Sequence, residues 1–377
     1  MSEHTPSQQA ALARSAELEQ QIQANPHNFR VLTGDRPTGP LHIGHYFGSL
    51  TNRVRLQNLG VEVLVLIADY QIMTDHVAGR QLPATVCGMV ADYLAAGIDP
   101  ACSTIFTHSA VPALNELLLP FLSLVSDAEL HRNPTVKAEA EATGKAPTGL
   151  MLTYPVHQAA DILFCRANLV PVGLDQLPHL ELTRLIARRF NDRYADQPLF
   201  PEPEALLTAT PLLLGLDGHK MSKTRGNGIP LRASEDQTAA VIRRAPTDSD
   251  RHITYDPAGR PAIATLLELL AAATGNQPAR LADEIGSQGA GRLKRMLTEA
   301  INELLRPLRT RRAGLADDPA YLTQVLATGN QRARHTAEHT LAEVHNALGM
   351  TYANLSNTCP HKADEARPDR PTGATSD

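Results

Sequence analysis

The run "VEVLVLIAD", residues 61–69, constrains this chain more than any other segment. A strand with one wet face alternates apolar and polar side chains. This run does not, so it reads as a strand buried on both faces, inside a parallel sheet covered by helices. The segments around it agree. "NFRVLT", "STIFTHS" (103–109) and "LVPVG" (169–173) read as strands. Between and after them lie helical patterns: "GHYFGSLTNRVRLQNLG", closed by Gly60, then "LPATVCGMVADYLAAGI", "VPALNELLLPFLSLV", "PVHQAADILFC" and "QLPHLELTRLIARRFN". This alternation predicts an α/β fold with a Rossmann-like, doubly wound parallel sheet. From about Ser234 the strands vanish, and helical patterns punctuated by Gly or Pro predict a C-terminal all-α helical domain.

Composition removes several classes of function. At 377 residues and 42% hydrophobic, the chain is long enough to bury a sizeable core. Its net charge of −5 argues against a protein that coats nucleic acid, while leaving room for a local basic face. Cys87, Cys102, Cys165 and Cys359 are scattered without a CxxC pair, so no metal site or disulfide framework is expected. That usage fits a reducing cytoplasm. No apolar run approaches the roughly 18 residues of a membrane span. The opening "MSEHTPSQQAALARSAELEQQIQ" lacks the apolar core of a secretory signal.

Two glycine-rich stretches carry chemistry. In "GDRPTGPLHIGHYFGSL" (34–50) a strand passes through a turn into a helix, which is how α/β proteins aim helix N-terminal amides at a phosphate. In "GLDGHKMSKTRGNG" (215–228), Lys220 and Lys223 sit among glycines and hydroxyls. Ammonium groups on a mobile loop suit a polyphosphate whose charge grows during reaction. Taken singly, the second stretch reads equally as a solvated interdomain linker, and the first as a helix start with two satisfied histidines.

Together they say more. "HIGH" (42–45) with "KMSKT" (220–224) resembles the paired motifs of class I aminoacyl-tRNA synthetases, with Thr224 keeping the hydroxyl of the commoner serine. "GLMLTYPVHQAADIL" (149–163), followed by "LVPVGLDQLPHLELTRLIARRFN" (169–191), resembles the tryptophanyl-tRNA synthetases of bacterial type. The similarity runs over roughly residues 29–350. It implies ATP and tryptophan sites in one crevice at the carboxyl ends of the strands.

By this resemblance His42, His45, Lys220 and Lys223 act on the phosphates. Arg36, Pro37 and Thr38 lie near ATP, and Gly44 leaves room for the adenosine. Gly173, Leu174 and Asp175 form the ribose turn, although Asp175 also reads as a helix N-cap. Leu212, within one residue, borders the adenine, and Met221, Ser222 and Thr224 complete the nucleotide site. Tyr154, Gln176, Gln158, Gln71 and Asp161 fall to tryptophan. Asp161 is the only polar residue of "AADILFC", well past the first turn of a helix opened by Pro155. A carboxylate facing an apolar slot needs a donor such as an indole N–H. An exposed aspartate one turn from His157 is the alternative.

The resemblance further implies Mg²⁺ with ATP, tRNA(Trp) as acceptor, a homodimer, a cytoplasmic location and no membrane contact. The expected division is a polar helical extension (1–28), a Rossmann-like catalytic domain (29–228), a helical anticodon-binding domain (229–355) and a disordered tail (356–377). Residues 226–355 carry 15 Lys/Arg against 14 Asp/Glu, densest in "RPLRTRR" (306–312) and "QRARH" (331–335), and the basic loop 132–149 is a candidate for the acceptor arm. Such runs are more often solvated helix faces than binding sites. Arg36, Gln71 and Gln158 depart from the glutamine, histidine and methionine frequent in relatives. Two rivals remain at this point: another nucleotidylyltransferase, which would lack the long helical domain, and a non-catalytic RNA-binding relative, which need not keep both motifs.

Overall fold

A computed structural model describes residues 6–73, 81–134, 136–137, 148–207, 213–221 and 225–352, apart from the side chains of Pro6, Ser7 and Asp175. Among the described residues five strands form one parallel sheet: β1 (Arg30–Asp35), β2 (Glu62–Ile67), β3 (Ser103–Thr107), β4 (Leu169–Val172) and β5 (Glu204–Leu207). Their order is β3-β2-β1-β4-β5, with β1 at the centre, and β1 pairs β2 from Arg30 opposite Glu62 to Asp35 opposite Ile67. The expected Rossmann-like architecture with a helical C-terminal part is observed.

The helices of the sheet region are α1 (Pro6–Ala24), α2 (43–59), α3 (Leu82–Ala96), α4 (Pro112–Glu116), α5 (Leu118–Leu122), α6 (Asp127–Arg132), α7 (Gly149–Leu163) and α8 (Leu177–Tyr194). After them come α9 (Glu235–Arg244), α10 (Pro261–Thr274), α11 (Pro278–Ile285), α12 (Ala290–Ala316) and α13 (Pro319–Ala347). Strand pleating divides the core in two. Val31, Val63, Val65 and Ile105 face one layer, which continues into Leu267 and Leu270 of α10 and Leu297 and Ile301 of α12. Leu32, Leu64, Leu66 and Phe106 face the other layer, against α7, α8 and the small residues Ala333 and Ala337 of α13.

Helices close both edges of the sheet, so neither edge is left to pair with another chain. At the β5 edge the Leu207 amide donates to Ser15 Oγ at 2.9 Å, and Arg14 forks onto the Glu204 carboxylate at 2.6 and 2.7 Å. The polar α1 is therefore not peripheral. Ser15, Leu18 and Ile22 recur at helical spacing, and Leu18 and Ile22 are fully buried. At the opposite edge the Thr107 amide donates to Asn330 Oδ1 of α13 at 3.0 Å.

Three local details differ from the sequence reading. Helix α7 starts at Gly149, capped by Thr148 Oγ1 accepting from the Met151 amide at 3.2 Å. Pro155 thus lies inside the helix and leaves the Met151 carbonyl without its helical donor. The pattern 111–125 breaks at Leu117 into α4 and α5. Strand β5, "EALL", was not anticipated, because four residues without a β-branched or aromatic side chain carry little strand signal.

Gly329 packs on β3 so closely that a Cβ there would overlap the Ile105 carbonyl. Gly329→Ala should therefore destabilise the protein by about 1–3 kcal/mol, as overpacking does against a backbone that cannot yield. Urea unfolding measures this, and an unchanged midpoint would show that α13 can shift off the strand at no cost.

Candidate active site

The strand order reverses at β1: β2 and β3 lie on one side of it, β4 and β5 on the other. Such a switch point opens a crevice at the strands' carboxyl ends. Here it is a cavity of about 530 Å³, floored by Leu32–Asp35 of β1 and Val170–Val172 of β4. Arg36, Gln71, Tyr154, Gln158, Asp161, Gly173, Gln176 and Lys220 all line it. Pro37 and Thr38 instead border a neighbouring cavity of about 290 Å³, shared with Asp92 and Arg232.

The histidine turn and the lysine loop are tied to one another by main-chain bonds. Ile43 N–H donates to the Ile229 carbonyl at 2.8 Å and Leu231 N–H to that of Leu41 at 2.9 Å. His42 is buried between two glycines: a Cβ on Gly228 would lie 2.9 Å from its ring, and one on Gly44 3.0 Å from it. The same Gly44 position faces Met221 Sδ at 2.8 Å, so the lysine loop lies over the space that the sequence reading gave to adenosine. His45 turns back on His42, with ring centroids 3.9 Å apart and Nδ1 accepting from the His42 amide at 3.3 Å. The loop has its own brace, in which Asn227 Nδ2 donates to Asp217 Oδ1 at 2.7 Å and to the Lys220 carbonyl at 3.2 Å. Ser222, Lys223, Thr224, Leu212 and the Asp175 side chain lie outside the described residues. Leu174 is half-buried in the turn after β4.

Two buried carboxylates line the cavity. Asp35 Oδ2 accepts from Arg53 Nη1 at 2.6 Å and from the Tyr93 hydroxyl at 2.8 Å. Burial, reinforced by that carboxylate, pushes the Tyr93 hydroxyl well above its ordinary range. Asp161 is 3% exposed, so it is not on a wet helix face, and its Oδ1 lies 2.8 Å from His108 Nε2. Tyr154 and His179 pair at 3.3 Å, and Arg36 Nε donates to Gln71 Oε1 at 3.0 Å. His108, His157 and Asp161 place possible ligand atoms within 4.8 Å of one another. Hydrogen bonds to Asp161 and to Asn115 already occupy the two Nε2 atoms, so we assign no metal there.

Sequence reasoning missed Asp35, Ser49, Arg53 and His108. Arg53 and His108 sit in patterns that look purely structural, and only their place at strand ends or on a site-facing helix distinguishes them. Residues Tyr46–Leu50, within α2, make a π-helical turn that carries Gly48 and Ser49 to the cavity wall. Most arginines of the basic runs, although several are exposed, bond to other groups of the same chain. Arg309 bonds Asn302 and Thr238, Arg311 the Ala95 carbonyl, Arg312 the Asp92 carboxylate, and Arg332 and Arg334 the carbonyls of Pro100 and Ala110.

With this geometry the chain belongs to the class I aminoacyl-tRNA synthetases: the family model for tRNA synthetases class I (W and Y) matches residues 24–306. Within that family it is similar to the tryptophan–tRNA ligase of Streptococcus pyogenes serotype M1, 42% identical over 337 residues, covering 85% of this chain and 98% of that protein. The tryptophan–tRNA ligase of Lactococcus lactis subsp. lactis is likewise 42% identical, over 336 residues, with the same coverage. Among solved structures, the tryptophanyl-tRNA synthetase of Campylobacter jejuni complexed with ADP and tryptophan superposes with a TM-score of 0.73. It is 30% identical and covers 85% of this chain and 99% of its own.

The buried pair beneath the cavity makes a direct test of its electrostatics. Arg53→Met leaves the Asp35 carboxylate without its counter-charge and should cost about 3–5 kcal/mol in urea unfolding. Adding Asp35→Leu should restore part of that loss, and a double variant as unstable as the single would mean that packing, not charge, sets the cost.

Proposed function

We propose that this chain activates L-tryptophan with ATP and transfers it to the 3′-terminal ribose of tRNA(Trp). In the first step a tryptophan carboxylate oxygen attacks the α-phosphorus. The bond from that phosphorus to the bridging oxygen breaks, and pyrophosphate leaves with tryptophanyl-adenylate formed. No side-chain nucleophile is needed, so the protein's part is positioning and charge stabilisation. The observation that carries this reading is the backbone pairing of 41–43 with 229–231, which brings the histidine turn and the lysine loop to one mouth above the cavity.

In this reading Tyr154, Gln158, Asp161, Gln176 and Gln71 hold the amino acid, with Asp161 accepting from the indole N–H. Arg36, Pro37, Thr38, Gly44, His45, Gly173, Leu174, Asp175 and Leu212 receive the nucleotide, and His42 sets the turn. Lys220 and Lys223, with Met221, Ser222 and Thr224, follow the departing pyrophosphate. Both carboxylates lining the cavity are already engaged, by Arg53 and by His108. We therefore assign Mg²⁺ to the nucleotide's own phosphates, as part of the substrate.

The helices after residue 229 serve the anticodon arm, and the loop 132–149, of which 138–147 lie outside the described residues, serves the acceptor arm. The second copy of a homodimer covers the apolar groove of about 410 Å³ lined by Tyr70, Met73, Pro112, Leu118 and Leu150. Met73, 54% exposed, and Leu150, 37% exposed, both in its lining, support that choice. No described helix is long and apolar enough to cross a membrane, and we assign the enzyme to the cytoplasm, where its tRNA is.

Amino-acid-dependent ATP–pyrophosphate exchange across the twenty amino acids tests the assignment. Tryptophan should drive exchange, and tyrosine or phenylalanine far less; equal or faster exchange with tyrosine would overturn it.

Lys223→Ala should slow single-turnover adenylate formation by ~10²-fold, the loss of about 3 kcal/mol that follows removal of one preorganised charge contact. Tryptophan binding should stay nearly unchanged. Unaltered adenylation in this variant would make the loop a linker.

A further inference from the structure

Strand β3 delivers a second buried ring to the back of the cavity. His108 opens the short turn His108–Ala110 directly after β3 and is fully buried. Its Nε2 lies 2.8 Å from Asp161 Oδ1, while its Nδ1 has no hydrogen-bond partner among the described residues. Apolar and aromatic contacts hold the rest of the ring. Tyr70 stacks on it at 5.9 Å and 16°, and the His157 ring lies 4.8 Å away. A phenyl group would fill such a slot without an orphaned nitrogen, and burying a polar atom unpaired is costly. The one contact that needs an imidazole is the bond to Asp161.

The charged and titratable groups around His108 sort themselves by their other partners. From α7 come Asp161 and His157; from the segment after β2 come Asp69 and Tyr70. Asp69 is spent on Ser109, whose amide and hydroxyl both donate to it. His157 Nε2 pairs with Asn115 Oδ1 at 2.8 Å, and burial holds its pKa down. Burial is the largest influence on His108 and works against its charge, but the Asp161 carboxylate, with a smaller contribution from Asp69, leaves the pKa raised. Asp161 is therefore the carboxylate that His108 serves.

We propose that His108 is a positioning residue for tryptophan selection: by donating Nε2–H to Oδ1 of Asp161 it locks that carboxylate, so that Oδ2 is left to accept from the indole N–H. This rests on the reading of Asp161 given above. A carboxylate free to rotate would spread its two oxygens over many orientations. One oxygen clamped by His108 leaves the other with a single direction, and Asp161 lines the cavity.

The test compares exchange driven by tryptophan with exchange driven by 3-benzothienylalanine, in which sulfur replaces the ring N–H at similar volume. In His108→Phe the KM for tryptophan should rise about tenfold or more, the scale of one charge-assisted hydrogen bond, with kcat little altered. The KM for the sulfur isostere should barely move, so the preference for tryptophan collapses. His108→Gln, which restores an N–H donor, should recover most of that preference. If the phenylalanine variant does not fold, His108→Leu takes its place with the same expected outcome. A purely structural role would weaken both substrates alike and would overturn the proposal. Asp161→Ala serves as the reference. If it abolishes the preference while His108→Phe keeps it, the positioning role fails and the reading of Asp161 stands. If Asp161→Ala also keeps the preference, both fail together.

Discussion

Two main-chain hydrogen bonds, Ile43 to Ile229 and Leu231 to Leu41, decide whether this protein has one reactive mouth or two separate loops. More than 180 residues of chain separate the partners, so neither motif can find the other by local preference. Only the folded sheet presents residues 41–43 where the chain leaving the lysine loop can pair with them. Once docked, both flanks of the loop are held in place, which lowers the entropy its closure has to cost. His42 explains why the docking is tight. Its ring is wedged between Gly44 and Gly228, and a side chain on either glycine would push the partners apart. The first histidine of the motif is thus chiefly a spacer, and His45, less buried, packs back on it.

Asp35 and Asp161 answer the same physical problem differently. Each is a carboxylate in the wall of a largely buried cavity, where an isolated charge would be driven to take up a proton. Asp35 is neutralised by Arg53 and capped by Tyr93, which makes it a brace for the end of β1. Asp161 has a weaker partner, an imidazole touching a single oxygen. That difference keeps acceptor capacity in the cavity.

Much of the fold was legible in the sequence because its signals are strong and local. The apolar run at 61–69, the glycine closing α2 and the motif pair each point to one structure only when combined. Gly60 does sit at positive φ, 98°, as the helix terminator it was taken to be. What escaped has identifiable physical causes. Strand β5 is short and lacks β-branched residues, and its place is secured by Arg14 and Ser15 from a helix that reads as polar. Pro155 looks like a helix start, yet α7 runs through it because Thr148 supplies a cap seven residues earlier. His108 was invisible because its meaning is a pairing across 53 residues of sequence. The basic runs of α12 and α13 show the limit from the other side: charge density shows in sequence, but the intramolecular partners of Arg309, Arg311, Arg312, Arg332 and Arg334 do not.

The two departures at positions 36 and 71 make a final case of information that exists only in three dimensions. Taken one at a time, arginine for glutamine and glutamine for histidine look like independent losses of a family feature. In the structure Arg36 Nε donates to Gln71 Oε1 at 3.0 Å, on the cavity wall. A histidine at 71, when protonated, would set a second cation against the guanidinium, whereas the glutamine carbonyl accepts from it and carries no charge. A glutamine at 36, in turn, would present no cation to the site. The pair therefore keeps one positive charge at the mouth and fixes its direction through a neutral partner. That arrangement holds a planar guanidinium in one orientation on the cavity wall, where its remaining donors have a fixed geometry.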